Sequence, residues 1–252
     1  MNYEPEKYWN DVAKRIAERY EGKFIAGDDD PFYHYKREKF LRLLREISFS
    51  DKVVLEVGPG PGGNLIEVLS LSPKELHGAD ISDEMLSIAK KVLHGQNVTL
   101  TKADHQLPYP DRYFDIAYTV TVLQHNTDEF MLQEVVEEIC RVSKGDIFIF
   151  ERIEKVVKGT SLCLGRPVSY YEQLFNRRGF KLKEKNYLNI QVSYLICGMI
   201  RKLFNKAKRK EGEKVSPTSV FLQKVVLPIT RKLDTVFKAN RDLAMLHFER
   251  KG

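Results

Sequence analysis

Cysteine is scarce in this chain. Its 252 residues hold three, at 140, 163 and 197, with no C-x-x-C pair. That argues against a disulfide-stapled scaffold and predicts buried thiols in a reducing compartment, so a cytoplasmic protein is expected. No H-E-x-x-H or other clustered ligand set occurs, which predicts no metal. No apolar run is long and unbroken enough to span a bilayer. The opening residues, M-N-Y-E-P-E-K-Y-W-N, have neither a basic region nor an apolar stretch, so no signal peptide is expected. Internal repeats and low-complexity tracts are also missing. What remains is ordinary globular composition, 42% hydrophobic and 30% charged, enough to bury a core. The length fits one domain, or one domain with a cap.

The net charge of +6 is unevenly spread. Residues 201–214 hold seven basic and two acidic side chains. Such a run suits an anionic substrate, a membrane surface or nucleic acid, or is simply a solvated loop. No aromatic residue interleaves within 205–214 to stack on bases, so no nucleic-acid partner is expected.

The most informative stretch is K-V-V-L-E-V-G-P-G-P-G-G, residues 52–63. Val53, Val54, Leu55 and Val57 predict a buried strand. Gly58, Gly60, Gly62 and Gly63 predict a sharp turn that a ligand can approach closely. Leu65, Ile66, Val68 and Leu69 then have the spacing of a helix face. Read as G-x-G-x-x-G, the turn fits a dinucleotide fingerprint. Read from Glu56, it places a carboxylate just before the turn. That acid disfavours a pyrophosphate and suits a ligand with an ammonium or sulfonium group, such as S-adenosylmethionine.

Further along, E-L-H-G-A-D ends on Asp80, 22 residues after Gly58. An acid there can accept both hydroxyls of an adenosine ribose. Ser82 is a predicted helix cap, followed by a face of Met85, Ile88, Ala89 and Val92. Residues 98–107 predict a third strand ending at Ala103-Asp104, where Asp104 can meet an adenine amino group and His105 can line the ring. Residues 113–125 predict a fourth strand running into a loop at Val120–His125. A helical stripe over 131–139 and a fifth strand over 145–151 follow.

These segments together resemble the class I S-adenosylmethionine-dependent methyltransferases, in the small-molecule, type 11-like branch. The resemblance covers about residues 40–190. It rests on V-L-E-V-G-P-G-P-G, G-A-D-I-S-D-E-M-L, A-D-H-Q-L-P-Y-P-D-R-Y-F-D and V-L-Q-H in the family's order. It implies an α/β fold: a Rossmann-like seven-stranded sheet with helices on both faces and the last strand antiparallel. It also implies S-adenosyl-L-methionine as cofactor. In that frame Glu56 faces the methionyl amino group, or holds the turn through backbone N–H groups. Gly58, Gly60 and Gly62 allow close approach. Asp80 takes the ribose, Ile81 packs on adenine, and Val120 and Thr121 flank the methionyl part. His125 is the candidate catalytic base, with a positional role as its alternative. Tyr33 and Tyr170 are candidate acceptor contacts.

Residues 1–50 are expected to form an N-terminal helical lid ahead of a methyltransferase domain over 51–252. A helix over 5–20 would carry Tyr8, Trp9, Val12, Ile16 and Tyr20, and Gly27–Pro31 would be a loop before a second helix. Ser169–Glu172 reads as a capping box. The seventh strand is expected at 243–249. The 190–242 gap before it is too long for a hairpin loop, so it reads as a helical insertion on the substrate side. Ser216-Pro217 should start one of its helices, and Pro228 should break or bend it. A membrane-contacting amphipathic element, through 190–214, is the alternative for this segment. The expected activity is methyl transfer to an oxygen or nitrogen of a small molecule: a sugar, a lipid-linked compound or a secondary metabolite. The rival readings are an NAD-binding oxidoreductase and a non-catalytic cofactor-binding relative.

Overall fold

A computed structural model of the chain describes residues 4–19, 29–104, 106–207 and 209–252. His105, Tyr20, Gly27 and Asp28 lie outside the described residues. Two helices come first, α1 (Pro5–Arg19) and α2 (Pro31–Arg45). Asp30 caps α2, its side chain accepting from the Tyr33 N–H, and Pro31 opens the first turn.

The alternating strand–helix pattern then builds a doubly wound sheet. In order it runs β1 (Val53–Val57), α3 (Gly63–Leu69), β2 (Glu75–Asp80), α4 (Asp83–Val92), β3 (Thr99–Lys102), β4 (Phe114–Val120), α5 (Glu129–Val142) and β5 (Ser143–Ile153). A small hairpin, β6 (Lys158–Thr160) with β7 (Cys163–Gly165), leads into α6 (Val168–Asn176) and β8 (Phe180–Tyr187). The insertion supplies α7 (Gln191–Phe204) and α8 (Pro217–Val236) before β9 (Asp242–Arg250). The sheet order is β3-β2-β1-β4-β5-β9-β8. All neighbours are parallel except that β9 runs antiparallel to both β5 and β8. The expected seven-stranded α/β sheet with an antiparallel last strand is therefore present.

Strand alternation divides the core between the two sheet faces. Val54, Phe148, Phe150 and Met245 pack with α2, α3, α7 and α8. Leu55, Ile147, Ile149 and Leu246 pack with α5 and α6. A separate cluster of Val12, Ala13, Ile16 and Met85 fixes α1 on α4. The strand order reverses between β1 and β4, which opens a crevice at their carboxyl ends.

Several local expectations need correction. The third strand is four residues long, because the chain leaves the sheet at Ala103. Ser169 caps nothing. Pro167, locked at φ −63° and extended in ψ, is the entry residue of α6, so Ser169 and Glu172 lie inside the helix. Ser216 does cap α8, but that helix continues through Pro228. Pro228 is exposed, and it removes only one bond from a helix anchored to α2 through Gln223 before it and to α7 through Thr230 after it.

Candidate active site

The crevice is bounded by two loops that the sheet positions: the glycine turn after β1 and the turn after β4. Gly58, Gly60 and Gly62 all adopt positive φ, at 73°, 54° and 86°. A Cβ on Gly58 would sit 2.4 Å from Val122 Cγ2, so the two loops touch where only glycine fits. The backbone donors of residues 58–62 are already used. Gly58 N–H donates to Ala79 O, Gly60 N–H to Asp80 Oδ2, and Gly62 N–H to Pro59 O. Pro59 and Pro61 have none.

Across from it, Thr121 is held at φ 56°, a costly conformation for a β-branched residue. What enforces it is Glu151, a fully buried carboxylate on β5 that sequence reasoning did not identify. Its Oε1 accepts from Val122 N–H at 3.0 Å and Leu123 N–H at 2.9 Å, and its Oε2 from Gln124 N–H at 2.9 Å. Thr119 Oγ1 donates to the same group. Burial nonetheless pushes its pKa up to about 7. Arg166, also fully buried, donates to Leu123 O and Asn126 O from the other side. The short 3₁₀ turn Leu123–His125 is thus pinned at both ends.

His125 projects from that turn. Its Nδ1 lies 2.7 Å from the Leu162 carbonyl, an acceptor only, which assigns the ring proton to Nδ1. Nε2 then carries the lone pair, 3.2 Å from Gln124 Nε2. The Gln124 carbonyl accepts from Arg152 N–H, which points its amide N–H toward His125. Burial lowers the His125 pKa, so the ring is neutral at pH 7. Trp9 of α1 stands edge-on to it, with centroids 5.0 Å apart. The α1 helix is held in turn by the insertion: Tyr8 Oη donates to Glu211 Oε2 and Arg15 Nε to Glu211 O.

Two cavities meet on Gly58, Gly60, Val120 and Thr121. The first is walled by apolar side chains, among them Ile81, Met85, Leu107 and Ile139, and holds Asp80, Asp104, Glu138 and His125. No lysine or arginine lines it among the described residues. Asp80 stands at the end of β2, its Oδ1 accepting from Ser82 N–H, and burial raises its pKa to about 6. The second cavity is lined by Tyr33, Lys36, Arg37 and Phe40 of α2, with Asn64 and Leu243. A shallow extension shares Tyr33 and Lys36 and reaches Tyr194, Arg201 and Arg209 of the insertion.

The fold therefore gathers Gly58, Gly60, Asp80, Ile81, Asp104, Val120, Thr121 and His125 around the first cavity, and Tyr33 around the second. Gly62 caps α3 beside Ala89 and Leu93 and lines neither. Two placements are corrected. Glu56 does not face a ligand or backbone N–H groups. It is fully buried, accepting from Asn64 Nδ2 at 2.9 Å and Tyr118 Oη at 2.8 Å, and burial raises its pKa to about 7. Arg37 completes this brace, donating to Asn64 Oδ1 and Gly63 O. Tyr170 lies apart from both cavities; its hydroxyl donates to Glu129.

The donor set tests the ligand directly. A pyrophosphate needs backbone N–H groups or cations. Here the N–H groups of Gly58, Gly60 and Gly62 are spent, and three carboxylates line the first cavity without a lysine or arginine among the described residues. An adenosine with a cationic sulfonium fits the first cavity: apolar walls for a purine, Asp80 for hydroxyl donors, and no lysine or arginine among the described residues to hold a phosphate there. The first cavity is therefore unsuited to the pyrophosphate of NAD.

Comparisons agree. Residues 54–146 match a family described as a methyltransferase domain. Comparison with curated protein sequences returns no match. Among solved structures, the chain is similar to the [4+2]-cyclase SpnF, at 15% identity and TM-score 0.67 over 96% of this chain and 94% of that one. It is similar to magnesium protoporphyrin IX methyltransferase (ChlM) from Synechocystis PCC 6803 with bound SAH, at 14% identity, TM-score 0.59 and 98% of each chain. A Galdieria sulphuraria protein assigned as a sarcosine dimethylglycine methyltransferase matches at 14% identity and TM-score 0.62, over 96% of this chain and 98% of that one. At such identities these likenesses carry the fold and leave the substrate open.

Proposed function

We propose that this chain, whose residues 54–146 match a methyltransferase-domain family, is a class I S-adenosylmethionine-dependent methyltransferase that methylates an oxygen or nitrogen of a small molecule held in the Tyr33–Arg37 cavity. The observation that carries this reading is the pair of cavities sharing Gly58, Gly60, Val120 and Thr121. One suits the cofactor. The other, covered by α2, suits a compact acceptor with polar or anionic groups facing Lys36 and Arg37.

The residues fit the cofactor, with Asp80 toward the ribose, Ile81 and Leu107 against the purine, and the Gly58–Gly60 and Val120–Thr121 backbones beside the methionyl part. When bound, S-adenosylmethionine supplies an electrophilic methyl carbon on an activated leaving group. The chain's own work is alignment and exclusion of water. The α1 and α2 helices cover the crevice, and Trp9 shields His125 from solvent. His125 holds a basic Nε2 while Leu162 O keeps Nδ1 protonated. His125 lines the first cavity only, so a hydroxyl acceptor whose reacting oxygen reaches past Val120 and Thr121 into it can pass its proton to Nε2 once the Gln124 amide yields that position, and the Leu162 carbonyl then stabilises the cation. A neutral amine acceptor needs no such base.

The test is methyl incorporation from labelled cofactor into a panel of small alcohols and amines, alongside tRNA and unfolded protein. Tyr33→Ala should raise the acceptor KM while S-adenosylhomocysteine affinity stays unchanged. Incorporation into tRNA or protein, with none into the small acceptors, refutes the reading.

A further inference from the structure

The α8 helix is built the wrong way round for a soluble protein. Its buried stripe is mostly polar: Ser219, Gln223, Leu227, Thr230 and Asp234. These side chains face the protein through hydrogen bonds. Gln223 Oε1 accepts from Phe32 N–H, Asp234 Oδ1 accepts from Val192 N–H at 2.7 Å, and Ser193 Oγ donates to Asp234. Its apolar stripe faces outward. Phe221, Val225 and Ile229, one turn apart, are 64%, 56% and 65% exposed. The packed neighbour α7 shows the same, with Leu195, Met199 and Leu203 exposed at four-residue spacing. The two helices are antiparallel, since Ser193 meets Thr230 and Asn205 meets Ser216. Of sixteen exposed large hydrophobic side chains among the described residues, ten lie between 195 and 237. A soluble amphipathic helix buries its apolar stripe; a hairpin that buries the polar one has a second apolar partner.

Charge selects that partner. Residues 191–241 carry twelve basic and three acidic side chains, so this segment is at +9 while the whole chain is at +6. Lys202, Lys206, Lys224, Lys232 and Lys238 are all exposed. A second copy would bring two such cationic faces together, which is unfavourable. An anionic bilayer surface satisfies both features: apolar side chains enter the acyl boundary while lysines reach the headgroups. We propose that the α7–α8 hairpin docks the enzyme on an anionic lipid surface, lying in the interface plane. No helix among the described residues is long and apolar enough to cross a membrane. The surface expected on 190–214 thus extends along α8.

The test is co-sedimentation of the full chain with vesicles of phosphatidylcholine alone and of phosphatidylcholine mixed with phosphatidylserine. The mixed vesicles should bind it, and added salt should weaken binding. Phe221→Gln/Ile229→Gln and Lys224→Glu/Lys232→Glu should each lower the partition coefficient at least about tenfold. Leu195→Gln/Met199→Gln gives an independent apolar variant on α7. Unchanged S-adenosylhomocysteine affinity in these variants shows an intact fold and separates this result from the methyl-transfer reading. Failure to bind the mixed vesicles overturns the proposal. So does binding that the substitutions leave intact, or a dimer that Phe221→Gln/Ile229→Gln dissolves.

Discussion

Replacing Glu151 by alanine isolates the group that shapes the site without touching either ligand. The carboxylate is fully buried and accepts from three consecutive backbone N–H groups, of Val122, Leu123 and Gln124. Alanine leaves all three unpaired. At about 1 kcal/mol each, the lower end for a buried unsatisfied donor, the loss is about 3 kcal/mol. Water entering the vacated space is the reason to take the lower end. For a chain of this size that corresponds to a melting temperature lower by roughly 6–12 °C. Thr121 would also lose the frame that holds it at positive φ, so the turn carrying His125 should relax.

The pH dependence sharpens the test. Burial raises the Glu151 pKa from an ordinary 4.5 to about 7. The folded protein therefore keeps a proton that the unfolded chain releases. Stability from this group is fully present below about pH 4.5 and falls as pH rises toward 7, by roughly 3 kcal/mol if the whole shift is expressed. The variant lacks that slope, while the slopes from Glu56 and Asp80 are common to both proteins and cancel. Urea unfolding at pH 5 and pH 8 should show the gap between wild type and Glu151→Ala narrowing as pH rises. A constant gap, or a variant within 1 kcal/mol of wild type at both pH values, refutes the assignment.

Two further predictions concern the loops themselves. Gly58→Ala places a methyl group 2.4 Å from Val122 Cγ2 at a positive φ. It should weaken S-adenosylhomocysteine binding more than about tenfold by calorimetry; unchanged affinity would mean the loops do not need their close contact. For a hydroxyl acceptor, kcat should fall below a pKa lower than 6.5 as the half-buried His125 protonates. In His125→Ala that acidic limb should vanish along with most of the rate, and a limb that survives assigns it to another group.

The glycine turn, the strand ends and the acids at 80 and 104 were legible because each is local. Strand, turn and helix signals lie within a dozen residues, and the α/β topology then dictates that β1 and β4 flank one crevice. Glu151 was not legible. In sequence it is one more acid at the end of an apolar strand, and its role exists only because β5 pairs with β4 and brings it under residues 122–124. Arg166 and the Arg37–Asn64–Glu56 brace are hidden for the same reason. The inverted stripe of α8 was also missed, since periodicity locates an apolar face but not the direction it points.

Glu56 shows how a correct conclusion can rest on a mistaken contact. Its charge was expected to select a cationic nucleoside by facing it. The side chain instead points into the core, bonded to Tyr118 and Asn64, with a pKa near neutrality. Selection lies in the accounting of donors. Gly60 gives its N–H to Asp80 and Gly62 to Pro59, two prolines remove the others, and Asp80, Asp104 and Glu138 supply acceptors. A phosphate in the first cavity would meet acceptors and no free donor from residues 58–62, whereas ribose hydroxyls and an adenine amino group bring the donors this cavity lacks. The glycine fingerprint therefore identifies a nucleoside-binding turn, and the bonds its N–H groups already make decide which nucleoside it takes.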